Sequence, residues 1–495
     1  MKLHITGDVN EYYVQTICMI FFPGEKFSGE EEEGAPVLYL DVKEETDVIT
    51  ATSRLLYQGK EATATKELVL TGEFTKDRGR KLVIGRSILS AASELLHYRP
   101  SWGMLTGVRP SKVATELLLA GLSKTKTRKA LNTHYMVIPK KAALATDVAL
   151  REQAIIGTPD KRDCSVYISI PFCPTRCSYC SFVSYTSKRL LSLIPAYLEL
   201  LCREIRTKFE AIRELGLNVL TVYIGGGTPT ILDAMQLRAL LSTVSECIDV
   251  STLREFTLES GRPDTIDAEK MAIAKAYGVT RVCVNPQTLC DDVLKGVGRC
   301  HSADDFYRAY DIARQSGIDC INTDLIVGLP GDTFSTFAVS YDNILKLEPE
   351  NITVHTFCIK KSAEILREGK RVYNLRGGDA GKCVDYSQIR AAEMGYFPYY
   401  MYRQKNMVGN FENVGFAKEG TECLYNIYMM EEVHSIFAAG AGAVTKLVDY
   451  APAGSGKKSV IERLFNDKYP YEYLESDGGK SHVEQIVKFY RERGL

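Results

Sequence analysis

The chain has 495 residues, 45% of them apolar and 25% charged, and a formal net charge of -1. That length leads us to expect two or three domains with sizeable cores. The near-zero charge excludes a global electrostatic grip on nucleic acid or an anionic membrane surface. Asp8 and Glu11 stand where a secretory signal would need positive charge, and the apolar stretch Ile17 to Phe22 is too short to span a bilayer. We therefore expect a cytoplasmic protein with no membrane insertion and no nucleic-acid partner. The 14 cysteines are mostly scattered singly, which reads as reduced thiols. Cys202, Cys247, Cys283 and Cys358 read as small buried apolar residues.

In chain order, residues 1–157 form an α+β accessory domain. Short strands are expected at Tyr12–Phe22, Val37–Val42 and Val48–Leu56, followed by two or three helices. Gly157–Asp163 is a linker. From there to residue 403, strand and helix patterns alternate. Strands are predicted at Ser165–Ile170, Val219–Ile224, Glu255–Glu259, Arg281–Asn285, Cys320–Val327 and Ile352–Ile359, with a last one near Pro398–Tyr402. Helices are predicted at Leu190–Glu214, Asp233–Ile248, Thr265–Tyr277, Ala303–Ser316, Phe334–Leu347 and Gly381–Met394. Turn residues such as Gly278, Gly317 and Pro330 punctuate the boundaries.

Six strand–helix units imply parallel strands with right-handed crossovers, too few for a closed eight-fold barrel. The predicted class is α/β, with a partial open (β/α)6 barrel at residues 158–403 and a mixed α/β region at 404–495 ending in a charged helix near His482–Arg493. In such folds the chemistry collects at the C-terminal ends of the strands.

Cys173, Cys177 and Cys180 have the spacing C-x3-C-x2-C on the loop after the first barrel strand. Three thiolates on one loop can converge on a soft metal centre. A structural zinc site wants four ligands, usually as two separated pairs, and no second C-x2-C pair exists here. Cys164 is expected at the opposite end of the strand. A cubane normally takes four thiolates, so three leave one iron open. Cys300-His301 is an isolated pair and reads as packing and a loop hydrogen bond. Gly454-Ser455-Gly456-Lys457-Lys458-Ser459 lacks the first glycine of a phosphate loop and has Lys458 where Ser or Thr must stand.

Tyr167-Ile168-Ser169-Ile170-Pro171-Phe172-Cys173 resembles the strand-into-loop signature of the oxygen-independent coproporphyrinogen III oxidase family of radical SAM enzymes, and spaced matches continue through residue 442. In the N-terminal domain, Trp102-Gly103-Met104-Leu105-Thr106-Gly107-Val108-Arg109-Pro110 resembles a segment of the coproporphyrinogen dehydrogenases of anaerobic bacteria. The resemblance implies a 4Fe–4S cluster on the three cysteines. S-adenosylmethionine (SAM) would sit on the open iron and yield a 5′-deoxyadenosyl radical, the hard chemistry belonging to the cofactor.

The same resemblance implies the cofactor contacts. Tyr167 lies beside the cluster and sulfonium, and Tyr179 packs on the adenine. Gly225-Gly226-Gly227-Thr228 lets main chain approach the methionyl amino group. Glu259 accepts from the ammonium or the ribose hydroxyls, and Gln287 and Asp324 bind the ribose. Arg299 pairs with the methionyl carboxylate. A charged Asp324 inside so apolar a strand is costly unless paired.

On the substrate side, Phe411–Lys418, Cys423–Asn426 and Gly440–Ala443 are similar to family segments. A tetrapyrrole with four propionates needs cations near the barrel mouth, and Arg403 and Lys405 are the candidates. The implied reaction converts propionates of coproporphyrinogen III to vinyl groups, giving protoporphyrinogen IX in haem biosynthesis, with a flavodoxin- or ferredoxin-type electron donor. Two positions depart from the family. Phe182 stands where the decarboxylating oxidases commonly carry a fourth cysteine, as in the haem-chaperone branch. Tyr425 stands where that chaperone branch commonly has histidine. A haem chaperone and a radical SAM enzyme acting on another tetrapyrrole are the alternatives.

Overall fold

The computed structural model describes all residues except 28, 30–32, 181, 183, 359–377, 405–406, 453–457 and 495. They divide into two compact units. The first holds the described residues of Met1–Ala149, Arg371–Gly381 and Met401–Glu412, and the second those of Leu150–Lys370, Lys382–Tyr400 and Asn413–Leu495.

The first unit carries a four-stranded sheet of β1 (Lys2–Thr6), β2 (Val37–Glu45), β3 (Val48–Tyr57) and β4 (Lys60–Val69) in that order. β1 runs parallel to β2, and the other pairs are antiparallel. Buried residues alternate along β2 and β3, as a sheet with one covered face requires. The cover is the helix Lys76–Leu96, packed on β3 and β4. Between β3 and β4, Gln58 and Gly59 both have positive φ, the geometry of a two-residue hairpin turn. Three more helices follow, Pro110–Leu119, Lys124–Tyr135 and Pro139–Ile156.

The expected strand at Tyr12–Phe22 is instead a helix over Glu11–Cys18. Asn10 caps it by accepting from the Tyr13 N–H, and Val14, Ile17 and Cys18 are buried at helical spacing. Local capping and the three-to-four-residue burial period override the strand preference of Tyr, Val and Ile.

The second unit is built on an 11-stranded sheet. Its centre is six parallel strands in sequential order: β5 (Asp163–Ile170), β6 (Asn218–Gly226), β7 (Glu255–Leu258), β8 (Arg281–Cys283), β9 (Cys320–Val327) and β10 (Asn351–Thr356). Helices Ile194–Glu214, Ala234–Cys247, Ala268–Ala276, Ala303–Gln315 and Phe334–Lys346 make the crossovers. β7, β8 and β9 are buried almost continuously, the pattern of a parallel sheet covered on both faces. Asp233, Ser302 and Thr333 each start a crossover helix with a reciprocal capping box. The six-unit α/β architecture is as expected.

The edges differ from expectation. β11 (Phe397–Tyr402) lies beyond β12 (Asn413–Ala417), which itself pairs antiparallel with β10. On the other edge, β13 (Ser435–Ala439) runs parallel to β5, and β14 (Val444–Asp449) and β15 (Val460–Phe465) extend it antiparallel. Residues after 404 thus add four strands to the barrel sheet. The helix expected over Leu190–Glu214 is two pieces, Lys188–Leu191 and Ile194–Glu214, with Pro195 in the first turn of the second. Cys283 is buried, whereas Cys202, Cys247 and Cys358 are partly exposed. No described helix is long and apolar enough to cross a membrane.

Candidate functional site

The parallel strands run in the same direction, so their C-terminal ends gather on one rim. β5 ends at Ile170 and releases the loop that carries Cys173, Cys177 and Cys180. That loop is pinched at its base by a bridge between Phe172 and Tyr185, with Cys173 N–H donating to Tyr185 O at 3.1 Å. Further out, Ser178 N–H donates to Val297 O at 3.0 Å, and Thr175 Oγ1 donates to Gly298 O at 3.4 Å.

β6 supplies the second wall. Gly227 N–H donates to Ile170 O and Thr228 N–H to Phe172 O, both at 2.8 Å. A Cβ at Gly227 would stand 2.5 Å from Phe172 O and 2.9 Å from Cys173 Sγ, so only glycine lets the two loops meet. Thr228 Oγ1 lies 3.3 Å from Cys173 Sγ.

Cys173 and Cys177 are buried, and Cys180 is half-buried. Burial pushes the Cys173 thiol up to about 11, against the bond from Thr228, and the neighbouring Cys180 and Cys177 raise it further. Burial also raises Cys180, against the Phe182 backbone N–H. Among the described residues no three His, Cys, Asp or Glu side chains gather tightly enough for a single metal ion. A cubane asks for something different, one thiolate on each of three separate irons.

The next strand ends carry polar groups. Glu259 follows β7. It accepts from Asn285 Nδ2 at 3.0 Å and from the Tyr223 hydroxyl. Burial, then repulsion from Asp324, pushes its carboxyl up to about 7. Gln287 follows β8 with φ of 69°, rare for a residue with a side chain. Its main chain is fixed by N–H donation to Asp324 O at 3.0 Å and by acceptance from Ile326 N–H at 2.9 Å. Its Oε1 is buried and has no hydrogen-bond partner among the described residues. Asp324, in β9, accepts from Asn322 Nδ2 at 2.7 Å and lies 3.5 Å from His355 Nε2. Arg299 is buried and donates to Tyr179 OH at 3.0 Å, Gly261 O at 3.0 Å, Asn285 O at 2.7 Å and His301 Nδ1 at 3.4 Å. A guanidinium has five N–H donors, so these four bonds leave one on Nη1.

Tyr167 stacks with Tyr223 and Tyr425 at centroid distances of 6.2 and 6.1 Å, and Tyr223 and Tyr425 stack at 4.7 Å. The three near-parallel rings form a stacked aromatic wall. Burial raises the Tyr167 hydroxyl well above the ordinary tyrosine range, so it stays protonated.

Residues 167–344 match the radical SAM superfamily model. The chain is 37% identical over 398 residues to the oxygen-independent coproporphyrinogen-III oxidase-like protein HemZ of Bacillus subtilis, covering 78% of each chain. The chain belongs to the radical SAM, oxygen-independent coproporphyrinogen III oxidase-like family. It is also 32% identical to the haem chaperone HemW of Bacillus subtilis, over 62% of this chain and 77% of that one. Among solved structures it resembles the coproporphyrinogen III oxidase HemN of Escherichia coli, with a TM-score of 0.50 and 20% identity, over 67% of this chain and 73% of that one. At that identity the likeness shows the fold alone.

The cofactors of a radical SAM protein are a 4Fe–4S cluster and SAM. The site fits such a pair on its own chemistry. It has three thiols on one pinned loop, a glycine cradle against the first thiol, and a buried amide oxygen with no partner among the described residues.

Of the two expected substrate residues, one lies among the described residues. Arg403 belongs to the first unit and is buried, donating to Leu105 O and to Asn410 O and Oδ1, with its guanidinium over the Trp102 ring. Burial lowers it to about 10, against Glu412. It is not an exposed cation, because its guanidinium is bound to the Leu105 and Asn410 carbonyls and to the Asn410 side-chain oxygen. Lys405 lies outside the described residues, as do residues 453–457 of the glycine-rich segment. His301 makes the expected loop hydrogen bond. Cys164 lies inside β5, at its N-terminal end, away from the three thiols.

Sequence reasoning missed Asn285, Arg262 and the Tyr223–Tyr425 pair. Asn285 holds Glu259 through Nδ2 and accepts from Asp324 N–H through Oδ1 at 3.2 Å, so it fixes two strand ends together. Tyr223 was legible in principle, because it aligns with Tyr167 across β5 and β6.

Proposed function

We propose that this chain oxidatively decarboxylates propionates of coproporphyrinogen III to vinyl groups, giving protoporphyrinogen IX. The rim of Glu259, Gln287, Arg299 and Asp324 with the three-cysteine loop carries the radical SAM part of this reading, and the likeness to HemZ carries the substrate class. In this reading Cys173, Cys177 and Cys180 hold the cluster. Bound there, the reduced cluster and SAM supply a carbon-centred radical able to abstract a hydrogen atom.

The chain's own residues bind and orient. The Gly225–Thr228 backbone lies against the methionyl group, and ionised Glu259 accepts from its ammonium. Arg299 pairs with the carboxylate through its remaining N–H. The orphaned Gln287 Oε1 and Asp324 accept from the ribose hydroxyls, and Tyr179, fixed by Arg299, packs on the adenine. The Tyr167–Tyr223–Tyr425 wall keeps water away from the reacting carbon. A one-electron donor of the flavodoxin or ferredoxin type would supply the electron that reduces the cluster; each propionate would lose one hydrogen atom to the radical, then CO2, and one electron to a separate one-electron acceptor.

Strictly anaerobic incubation with SAM, reductant and coproporphyrinogen III should release CO2 and vinyl products. SAM cleavage without those products would refute the substrate while sparing the class. A second reading, a haem chaperone, is favoured by the likeness to HemW and by Phe182 after the last cysteine. Tyr425, stacked against Tyr223, speaks against it, because the chaperone branch's histidine is missing. Stoichiometric haem uptake without decarboxylation would select the chaperone.

A further inference from the structure

Arg262 lies just beyond the end of β7, in a stretch where no motif points to function. Its side chain is 4% exposed. One edge of the guanidinium forks onto Asp264, Nε to Oδ1 at 2.9 Å and Nη2 to Oδ2 at 3.0 Å. That fork leaves Nη1 for the cysteine loop. Nη1 donates to Thr175 Oγ1 at 3.0 Å and to Cys177 Sγ at 3.7 Å, within the range of a hydrogen bond to sulfur. A buried charge persists only where it is paired, and a neutral residue would bridge these groups at lower desolvation cost. The charge itself is therefore the informative feature.

We infer that Arg262 is a positioning residue for the iron–sulfur cluster: its Nη1 holds the Cys177 sulfur in register and its charge stabilises the reduced cluster. The inference rests on the assignment of the cluster to the three cysteines. One-electron reduction adds negative charge to the cluster and its thiolates. A buried cation hydrogen-bonded to one of those sulfurs favours that state and raises the reduction potential. Asp264 fixes the guanidinium and partly neutralises it. The same arginine ties the end of β7 to the loop after β5, so the loop keeps its shape across the rim.

The test uses the full chain, reconstituted anaerobically with iron and sulfide. It reads iron content and the midpoint potential from an electron paramagnetic resonance titration. Arg262→Gln should keep its iron but shift the midpoint negative by about 59 mV, a tenfold change in the one-electron equilibrium. Arg262→Lys should recover part of the shift, because it restores charge without the fork. If Arg262→Gln does not fold, Asp264→Asn decides. Removing the counter-anion should move the midpoint positive, and an unchanged midpoint overturns the inference. An unchanged midpoint in Arg262→Gln at full iron content also overturns it. A wild-type protein with no cluster, or one whose cluster absorbance survives in Cys177→Ala, overturns the cluster assignment and this inference together. A stable cluster without porphyrin product leaves the inference standing and refutes only the substrate.

Discussion

At Glu259, burial and the neighbouring Asp324 carboxylate both oppose ionisation, while Tyr223 and Asn285 favour it. The folded carboxyl titrates near 7 against an ordinary value of 4.5. The native state thus holds a proton that the unfolded chain has lost, so stability falls as pH rises from about 4.5 to about 7. Glu259→Gln should therefore raise the stability of the cofactor-free protein above neutral pH, by on the order of 2 kcal/mol, in thermal melts. The same substitution should weaken SAM binding at least about tenfold by calorimetry. Wild-type SAM affinity should itself drop as pH falls below about 7. Glu259, Gln287, Arg299 and Asp324 stood out in the sequence through the family resemblance, with Glu259 directly after β7 and Asp324 within β9. Asn285 and Arg262 did not, since an asparagine or an arginine beside a proline is commonplace until burial is known. Arg403 misled for the converse reason. A basic residue after a strand reads as solvated, and only the fold reveals that carbonyls surround it.

The loop after β5 and the glycines after β6 act as one element, joined by main-chain bonds that a side chain at 227 would break. Gly227→Ala should force the cysteine loop away and lower cluster retention by about tenfold. Iron analysis would register this, while far-ultraviolet circular dichroism should stay unchanged. The six parallel strands were readable because apolar runs alternate with capped amphipathic helices, two periods that are hard to confuse. Glu11–Cys18 is hard to read as a helix because its Tyr, Val and Ile residues mimic a strand, and the deciding cap is the single residue Asn10. The placement of β12 to β15 was not legible. Their partners lie far away in sequence, and pairing is decided by which sheet edge is open.

Across the molecule, buried ionisable groups set the limits of stability. His434 is buried with Nε2 2.8 Å from Ser165 Oγ, and burial lowers it to about 3 from an ordinary 6.5. The unfolded state binds that proton more readily, so stability present above about 6.5 is lost as pH falls towards 3. This loss, on the order of 2 kcal/mol between about pH 7 and pH 5, opposes the gain from Glu259, so His434→Gln should gain that much stability relative to the wild type over the same range in denaturant titrations. In the first unit, Lys141 and Glu412 form a buried pair at 2.5 Å, and Glu412 also accepts from Trp102 Nε1 at 2.7 Å. Glu412→Gln leaves the lysine charge without its counterion and should destabilise the protein by about 3–5 kcal/mol. Trp102, the sole tryptophan, reports that loss by fluorescence. The partners are 271 residues apart, and Arg403 too enters the first unit late. A ribosome makes most of this unit first, then the parallel strands, and only afterwards the two side chains that close it. Its completion is therefore timed by translation, and nascent chains arrested before Glu412 should remain open to protease until synthesis resumes.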